Sequence, residues 1–397
     1  MKVVQINATC GYGSTGKITV DISRLLTEKN IENYVFYAEN DSNYPLGIRY
    51  ANNKYLKIQA LKTRVFGNYG FQAKGATKKI IKKLDEINPD IIHLHNLHSH
   101  NVNIEMLFKY IKKNGIKTIW TFHDCWALTG GCTHFDYIGC EKWKTNCKKC
   151  PQYRRMSWFF NRAESLFKKK KELFSGIDLT IVTPSEWLKG LVGQSFLKEN
   201  DVCVINNGID LSIFTPTESD FRKRYGLEGK KVLLGVAMGF DGNRKGFYDF
   251  LKLAERLDEK HVLVLVGVGE NQKRSLPEGI IGIERTKNQT ELARIYTAAD
   301  IFVNLTYEDN FPTVNLEALA CGTPVVTYRS GGSAEVADDK VAFSAEKGDL
   351  DGIISIISKI EKNEALSQKC RMRAESSFDK KYCFEKYLDL YDRVEKK

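Results

Sequence analysis

Arg244 and Lys245 stand side by side ahead of Gly246, between the strand-like run 232–236 and a helix. Two cations thus project from one strand-to-helix loop, where they could meet an anion. Farther along, after the apolar run 301–303, Asp309 and Glu317 are separated by seven residues. That spacing puts the first acid just ahead of a helix start and the second about two turns along the helix. An acid ahead of a helix can hold sugar hydroxyls while the open amides of the first turn face phosphate. Asn310 reads as the N-cap and Pro312 as a first-turn residue. Pro312 has no N–H, so an anion there must use neighbouring amides. Gly331 and Gly332 form a further glycine turn beyond the strand 325–327.

The first half offers other chemistry. Gly11-Tyr-Gly-Ser-Thr-Gly16-Lys17 follows a strand and opens a helix, as a P-loop does, but Ile18 stands where a P-loop carries the Ser or Thr that holds magnesium. No apolar strand ending in Asp offers the second half of such a site. An ATP-dependent enzyme is therefore the weaker reading; a glycine turn remains, either an anion site or a plain tight turn. Ile91-Ile-His93-Leu-His-Asn96 and Trp120-Thr-Phe-His123-Asp124 both end strands, where open α/β sheets bind ligands. His123 beside Asp124 offers a donor whose protonation can be tuned, while His93 fits a packed histidine equally well. No Gly-x-Ser-x-Gly elbow accompanies them, which disfavours a Ser-His-Asp hydrolase. Cys132, Cys140, Cys147 and Cys150 place four thiols within nineteen residues, with Cys125 and His134 close in sequence. They read as a structural zinc site or as four reduced, packed thiols.

These residues need strands that end at one edge and helices that start there. The chain of 397 residues is long for one core, and its 42% hydrophobic and 27% charged residues suit a globular protein. No apolar run approaches the ~18 residues of a membrane span, and the opening residues lack a signal-peptide pattern, so a cytoplasmic protein is expected. Strand patterns at 3–6, 34–37, 91–94, 118–122 and 179–182 alternate with helical patterns at 17–29, 77–86, 104–113 and 162–174. A turn-rich segment, 206–216, suits a hinge, and a second series follows with strands at 232–236, 262–266, 301–303 and 325–327. The tail, 380–394, reads as an amphipathic helix. Alternation of this kind predicts an α/β fold of two Rossmann-like, doubly wound domains.

Charge is uneven. Residues 1–200 hold 31 Lys and Arg against 17 Asp and Glu, +14, whereas residues 201–397 hold 29 against 32, −3. Residues 54–83 carry nine cations and no acid. Nucleic acid, an anionic membrane or plain solvent could face such a surface. A nucleic-acid-binding protein, however, leaves the acids and glycines of the second half unexplained.

Taken in order, His123-Asp124, Val204-Ile-Asn-Asn-Gly-Ile-Asp210, Arg244-Lys245-Gly246, Asp309-x7-Glu317, Glu317-Ala-Leu-Ala-Cys-Gly-Thr-Pro-Val325 and Gly331-Gly332-x-x-Glu335 resemble a retaining glycosyltransferase of the GT-B type, family 4. The likeness spans nearly the whole chain and is similar in wording to bacterial enzymes that build capsule, O-antigen, colanic acid and other exopolysaccharide units. It implies domains at 1–205 and 206–379 facing a cleft, a Cys-rich insert at 125–150, and a terminal helix, 380–397, crossing back to the first domain. It also implies a UDP- or GDP-linked sugar donor on the second domain and a saccharide acceptor on the first. The acceptor implied is a saccharide or an undecaprenyl-pyrophosphate-linked saccharide, and the lipid-linked form would set the basic half against the inner face of the plasma membrane, with no nucleic acid involved. Carried over, Glu317 binds the donor ribose and Asp309 the hydroxyls of the transferred hexose. Arg244 and Lys245 neutralise the diphosphate, helped by amides near Gly16 and Thr313, and His123 contacts the reacting sugar. Asn310, Phe311, Val314, Gly331 and Gly332 complete the donor site. No catalytic metal is expected, since Arg, Lys and helix N–H groups can supply the positive potential the phosphates need. Two departures stand out. Asp309 replaces the usual Glu, and the usual Gly-Arg before Lys-Gly is absent, so Arg244 is taken as its substitute.

Overall fold

The structure is a computed structural model describing residues 1–98, 100–240 and 242–397. The chain divides into two compact units, Met1–Ile205 with Phe384–Lys397, and Asn206–Cys383.

The first unit holds seven strands: β1 (Lys2–Ile6), β2 (Glu32–Tyr37), β3 (Gly47–Arg49), β4 (Ile91–Leu94), β5 (Lys117–Thr121), β6 (Leu179–Thr183) and β7 (Asp201–Val204). All pairings are parallel, in the order β3-β2-β1-β4-β5-β6-β7. The order reverses between β1 and β4, and the carboxyl ends of strands beside such a reversal leave a crevice for ligands. Strands β4 and β6 are buried along their whole length, as a parallel sheet covered on both faces requires.

The second unit repeats the plan with β8 (Lys231–Val236), β9 (His261–Val266), β10 (Ile280–Ile283), β11 (Ile301–Asn304), β12 (Val325–Arg329) and β13 (Ala342–Glu346). Its order is β10-β9-β8-β11-β12-β13, again all parallel, with the reversal between β8 and β11. The α/β expectation of two doubly wound sheets thus holds for each unit.

Helix starts follow local chemistry. Asn52, Asn103, Ser185, Asn288 and Asn363 each accept a backbone N–H three residues on, and each such cap contributes about 1 kcal/mol. Two predicted starts are corrected. The helix expected from Lys17 begins at Gly13, and the helix expected from an Asn310 cap begins at Thr313, with Pro312 in the cap position. Pro312 belongs there because its ring fixes φ and the missing N–H has no helical partner to lose. The basic stretch after the strand pattern at 34–37 contains a full helix, Asn53–Phe66, beyond the helical pattern expected at 77–86. The final helix, Lys380–Lys396, belongs to the first unit from Phe384 onward. There Tyr391 Oη meets His93 Nδ1 at 2.5 Å and Tyr387 Oη meets Thr121 Oγ1 at 3.1 Å, both within the buried sheet face. Within the second unit, 207–210 and 378–380 lie side by side, tied by Ile209 N–H to Phe378 O at 2.8 Å and Lys380 N–H to Ile209 O at 3.0 Å. Among the described residues no helix is long and apolar enough to cross a membrane.

Candidate active site

In the second unit, the loops after β8, β11 and β12 meet at the carboxyl edge of adjacent strands. The loop after β8 carries Arg244, Lys245 and Gly246. Lys245 Nζ forms an ion pair with Asp309, both side chains about four-fifths buried, and Arg244 Nη1 donates to Glu308 O at 3.1 Å. The main chain of Arg244 is also fixed, its carbonyl accepting from Tyr307 N–H at 2.7 Å and Thr306 Oγ1 at 3.2 Å. Gly246 is required here: its φ is +70°, and a Cβ would sit on the carbonyl oxygen of Leu305. So two cations and an acid, 64 residues apart in sequence, are held at one point by backbone contacts.

The loop after β12 closes the other side. Gly332 N–H donates to Asp309 O at 2.9 Å, and Gly331, at φ +55°, allows no Cβ because that atom would meet the same carbonyl. Ser330 Oγ donates to Thr306 O at 2.5 Å. The helix Thr313–Ala320 starts beside these contacts, leaving the amides of Thr313 and Val314 at its open end. Buried Asn315 ties the helix to β11 through Asn304 Nδ2 at 2.8 Å and to the β12 loop through Ser333 O at 3.1 Å. Asn310 and Phe311 are buried in the connecting turn, with Phe311 O accepting from Asn207 Nδ2 at 3.1 Å. Glu317, on the same helix, accepts from Tyr296 Oη at 2.9 Å. Burial first, and then the Glu317 carboxylate, hold the Tyr296 phenol well above its ordinary range, so it stays a donor. Tyr296 was missed in the sequence because nothing in its spacing marks it. Glu308 was missed too, a carboxylate with 0% exposure directly beside Asp309.

In the first unit the ends of β4 and β5 gather histidines. His95 Nδ1 meets His123 Nε2 at 3.0 Å with the rings stacked, and His95 Nε2 meets Gln5 Oε1 at 3.1 Å. Asp124 is shared between His98 Nε2 at 2.8 Å and Trp126 N–H at 2.8 Å. A small pocket at this edge is lined by His95, Asn96, His98, Phe122, His123 and Asp124, among others. Burial, outweighing the attraction of Asp124, lowers the His123 pKa to about 4, so its ring is neutral near pH 7. Burial also works against charge on His98, but Asp124 outweighs it and the pKa is raised. His93 is a packed histidine, held between Tyr391 and Thr121 and lowered to about 3 by burial and then by His123.

Gly16 sits in the first turn of Gly13–Glu28, packed on Thr9, with its carbonyl accepting from Gly11 N–H at 2.8 Å. The amides such a helix start leaves open are those of Gly13, Ser14 and Thr15, ahead of Gly16. A helix that already begins at Gly13 replaces the extended cradle a P-loop needs, which removes that reading.

Cys147 and Cys150 belong to the main core of the first unit, with Cys132 and Cys140 packed against it, and the same core contains the stacked rings of Phe135 and Trp143, 4.9 Å apart. Cys147 Sγ accepts from Gly130 N–H at 3.2 Å, and a hydrogen bond from Cys132 to Cys150 raises the first thiol and lowers the second to about 7. Cys140 is half-buried against the same core. As they stand, no three His, Cys, Asp or Glu side chains among the described residues form a metal-holding set. Beside them lies Lys170, 0% exposed, donating to Trp126 O at 2.7 Å and Thr129 O at 3.1 Å over the Trp126 ring.

Two family profiles match the chain: "Glycosyltransferase Family 4" over residues 15–213 and "Glycosyl transferases group 1" over residues 218–377. A chain of Escherichia coli K12 named as a colanic acid biosynthesis glycosyl transferase, WcaC, is 23% identical over 99% of this chain and 100% of its own. The N,N'-diacetylbacillosaminyl-diphospho-undecaprenol alpha-1,3-N-acetylgalactosaminyltransferase of Campylobacter jejuni is 31% identical over 50% of this chain and 56% of its own. The solved structure of Anabaena Alr3699/HepE in complex with UDP aligns over 99% of this chain and 100% of that one, with a TM-score of 0.70 at 13% identity.

Proposed function

The chain belongs to glycosyltransferase family 4, and from that premise we propose that it transfers a hexosyl unit from a UDP- or GDP-linked sugar to a lipid-linked saccharide of a growing surface polysaccharide, with retention at the anomeric carbon. The carrying observation is the convergence of Arg244, Lys245, Asp309 and the start of Thr313–Ala320 at one edge of the second sheet, with Glu317 about one turn along that helix. The names of the Escherichia coli and Campylobacter relatives support a saccharide acceptor, and the UDP held by the Anabaena structure supports the donor class.

Glycosyl transfer develops oxocarbenium-like charge on the sugar as the diphosphate leaves. Arg244, Lys245 and the amides of Thr313 and Val314 take up the leaving charge, and fixed donors at a partly buried site do so without reorganising. Glu317, aimed by Tyr296, accepts from the ribose hydroxyls. Asp309 serves two partners, Lys245 and the hydroxyls of the transferred sugar. His123, neutral near pH 7, gives the reacting sugar a hydrogen bond without adding a cation beside the developing positive charge. With retention, the acceptor hydroxyl attacks on the face the diphosphate leaves, and a phosphate oxygen receives its proton.

Thermal unfolding with UDP, GDP or ATP, each with and without magnesium, tests the reading. A ligand that binds only the folded protein stabilises it by about 2.7 kcal/mol at a hundred times its Kd. UDP or GDP is expected to raise the melting temperature without magnesium. A rise with ATP alone, dependent on magnesium, would overturn the donor-site assignment.

A further inference from the structure

The helix Asn53–Phe66 turns the wrong face to water. Its buried side carries Gln59 and Thr63, while its exposed side carries Lys54, Lys57, Ile58, Leu61, Lys62 and Phe66. A surface helix of a soluble protein normally keeps its outward stripe polar. Ile58, Leu61 and Phe66 are 46%, 55% and 50% exposed.

A second segment continues that face. Trp158, Phe159 and Phe160 form a loop tip, exposed by 52%, 65% and 48%. The loop is tied to the end of the helix: Trp158 N–H and Ser157 Oγ donate to Arg64 O at 2.8 and 3.2 Å, and the Arg64 guanidinium donates back to the carbonyls of Arg154 and Arg155. Of thirteen large apolar side chains exposed among the described residues, six lie on these two short segments. Scattered exposed apolar residues need no explanation, but a contiguous aromatic and aliphatic patch does.

The charge around the patch is of one sign. Residues 53–66 hold four cations and no acid, and residues 153–163 hold three cations and no acid. The Arg162 guanidinium lies 5.4 Å from the Phe160 ring. Cations ringing an aromatic tip match the boundary of a bilayer, where Trp and Phe sit at the level of the head groups and Lys and Arg meet lipid phosphate. A nucleic acid would use the cations and stack on the rings, but it has no place for Ile58 and Leu61.

We propose that Asn53–Phe66 and the 157–160 loop form one docking surface for an anionic lipid bilayer, with Trp158, Phe159, Phe160, Leu61 and Phe66 entering the head-group layer. Lys78, Lys79, Lys82 and Lys83 lie outside this surface, exposed on a helix face that presents no exposed apolar side chain. The inference rests on the surface alone and is tested without donor or acceptor sugar, so it stands or falls separately from the transferase reading.

Flotation of the full chain with vesicles of phosphatidylcholine, alone or mixed with phosphatidylglycerol, decides it. The wild type is expected to float with the mixed vesicles and stay behind with the neutral ones. Joint Trp158→Ser, Phe159→Ser and Phe160→Ser changes, all at exposed positions, should reduce binding about tenfold or more. Lys78→Gln, Lys79→Gln, Lys82→Gln and Lys83→Gln together should reduce it much less. Trp158 emission should shift to the blue on mixed vesicles, and the shift should vanish in Trp158→Phe. Undiminished flotation of the triple serine variant would overturn the proposal in favour of plain electrostatic attraction. No flotation, combined with concentration-dependent dimers that the serine changes abolish, would overturn it in favour of a second copy of the chain.

Discussion

At the scale of single residues, the acids and cations of the second unit could be found in the sequence because their order along the chain is itself a signal. Their partners could not. Tyr296 lies 21 residues before Glu317, on a different helix, and only the packed structure brings its hydroxyl to that carboxylate. His98 pairs with Asp124 across two strand ends, a contact that no local spacing announces. These helpers carry a prediction. Tyr296→Phe removes one donor to a charged acceptor and leaves the ring packing intact, so the KM for the sugar nucleotide should rise about tenfold with kcat nearly unchanged. Glu317→Ala should reduce transfer at least about a hundredfold while the circular dichroism spectrum and melting temperature stay close to wild type. A fully active Glu317→Ala enzyme would reject the ribose assignment, and an unchanged KM in Tyr296→Phe would show that Glu317 needs no aiming.

Among elements, buried parallel strands were the most legible, because continuous apolar runs such as His261–Val266 permit few other structures. The helix Asn53–Phe66 was not, since apolar residues occupy its outward as well as its inward side and blur the helical period. Strand β13, with the sequence AFSAE, has too little apolar content to stand out. Loops at the strand ends are held by glycines whose absent Cβ matters. Gly331→Ala must strain a left-handed φ and push against Asp309 O, so about 2 kcal/mol of stability should be lost along with donor binding. Urea unfolding and the donor KM measure both; a variant with neither change would mean that the β12 loop does not position Asp309.

The cysteine loop is the element whose chemistry the sequence left open, and we propose that it takes a structural zinc. Two features support this: the Gly130 N–H aimed at Cys147 Sγ, and the fully buried Lys170 amine, lowered to about 7 by burial, whose protonated form a thiolate cluster would favour. Binding would have to draw the four sulphurs closer than they now stand. Protein prepared without chelator should contain about one zinc per chain, lose it in Cys147→Ser, and melt at lower temperature after chelation. Metal-free protein with four thiols that titrate on unfolding would assign the loop to packed thiols.

For the whole molecule, the alternation of strand and helix revealed two doubly wound units, while the uneven placement of histidine gives them different responses to acid. Six of the seven histidines, all but His261, fall in the first unit. Burial keeps His93 at about 3 and holds His95 well below its ordinary value, and both rings are essentially inaccessible. In the unfolded chain each would titrate near 6.5, so the unfolded state binds more protons below that pH. Stability therefore falls as pH drops from 6.5 toward the folded values, by about 1.4 kcal/mol per unit for each such ring. The His98–Asp124 pair acts in the opposite sense for His98, whose raised pKa gives stability that is complete below 6.5 and fades as pH rises through the folded value. With four rings lowered by burial, His93, His95, His100 and His123, against the one raised ring of His98, the balance favours loss in acid. Calorimetry at pH 7.5 and 5.5 should show the first unit's transition moving to lower temperature, with His93→Gln reducing the shift. On the proposed donor assignment to the second unit, UDP or GDP should raise the other transition. Equal acid sensitivity of both transitions, or a shift unaffected by His93→Gln, would show that the buried histidines do not govern the acid response.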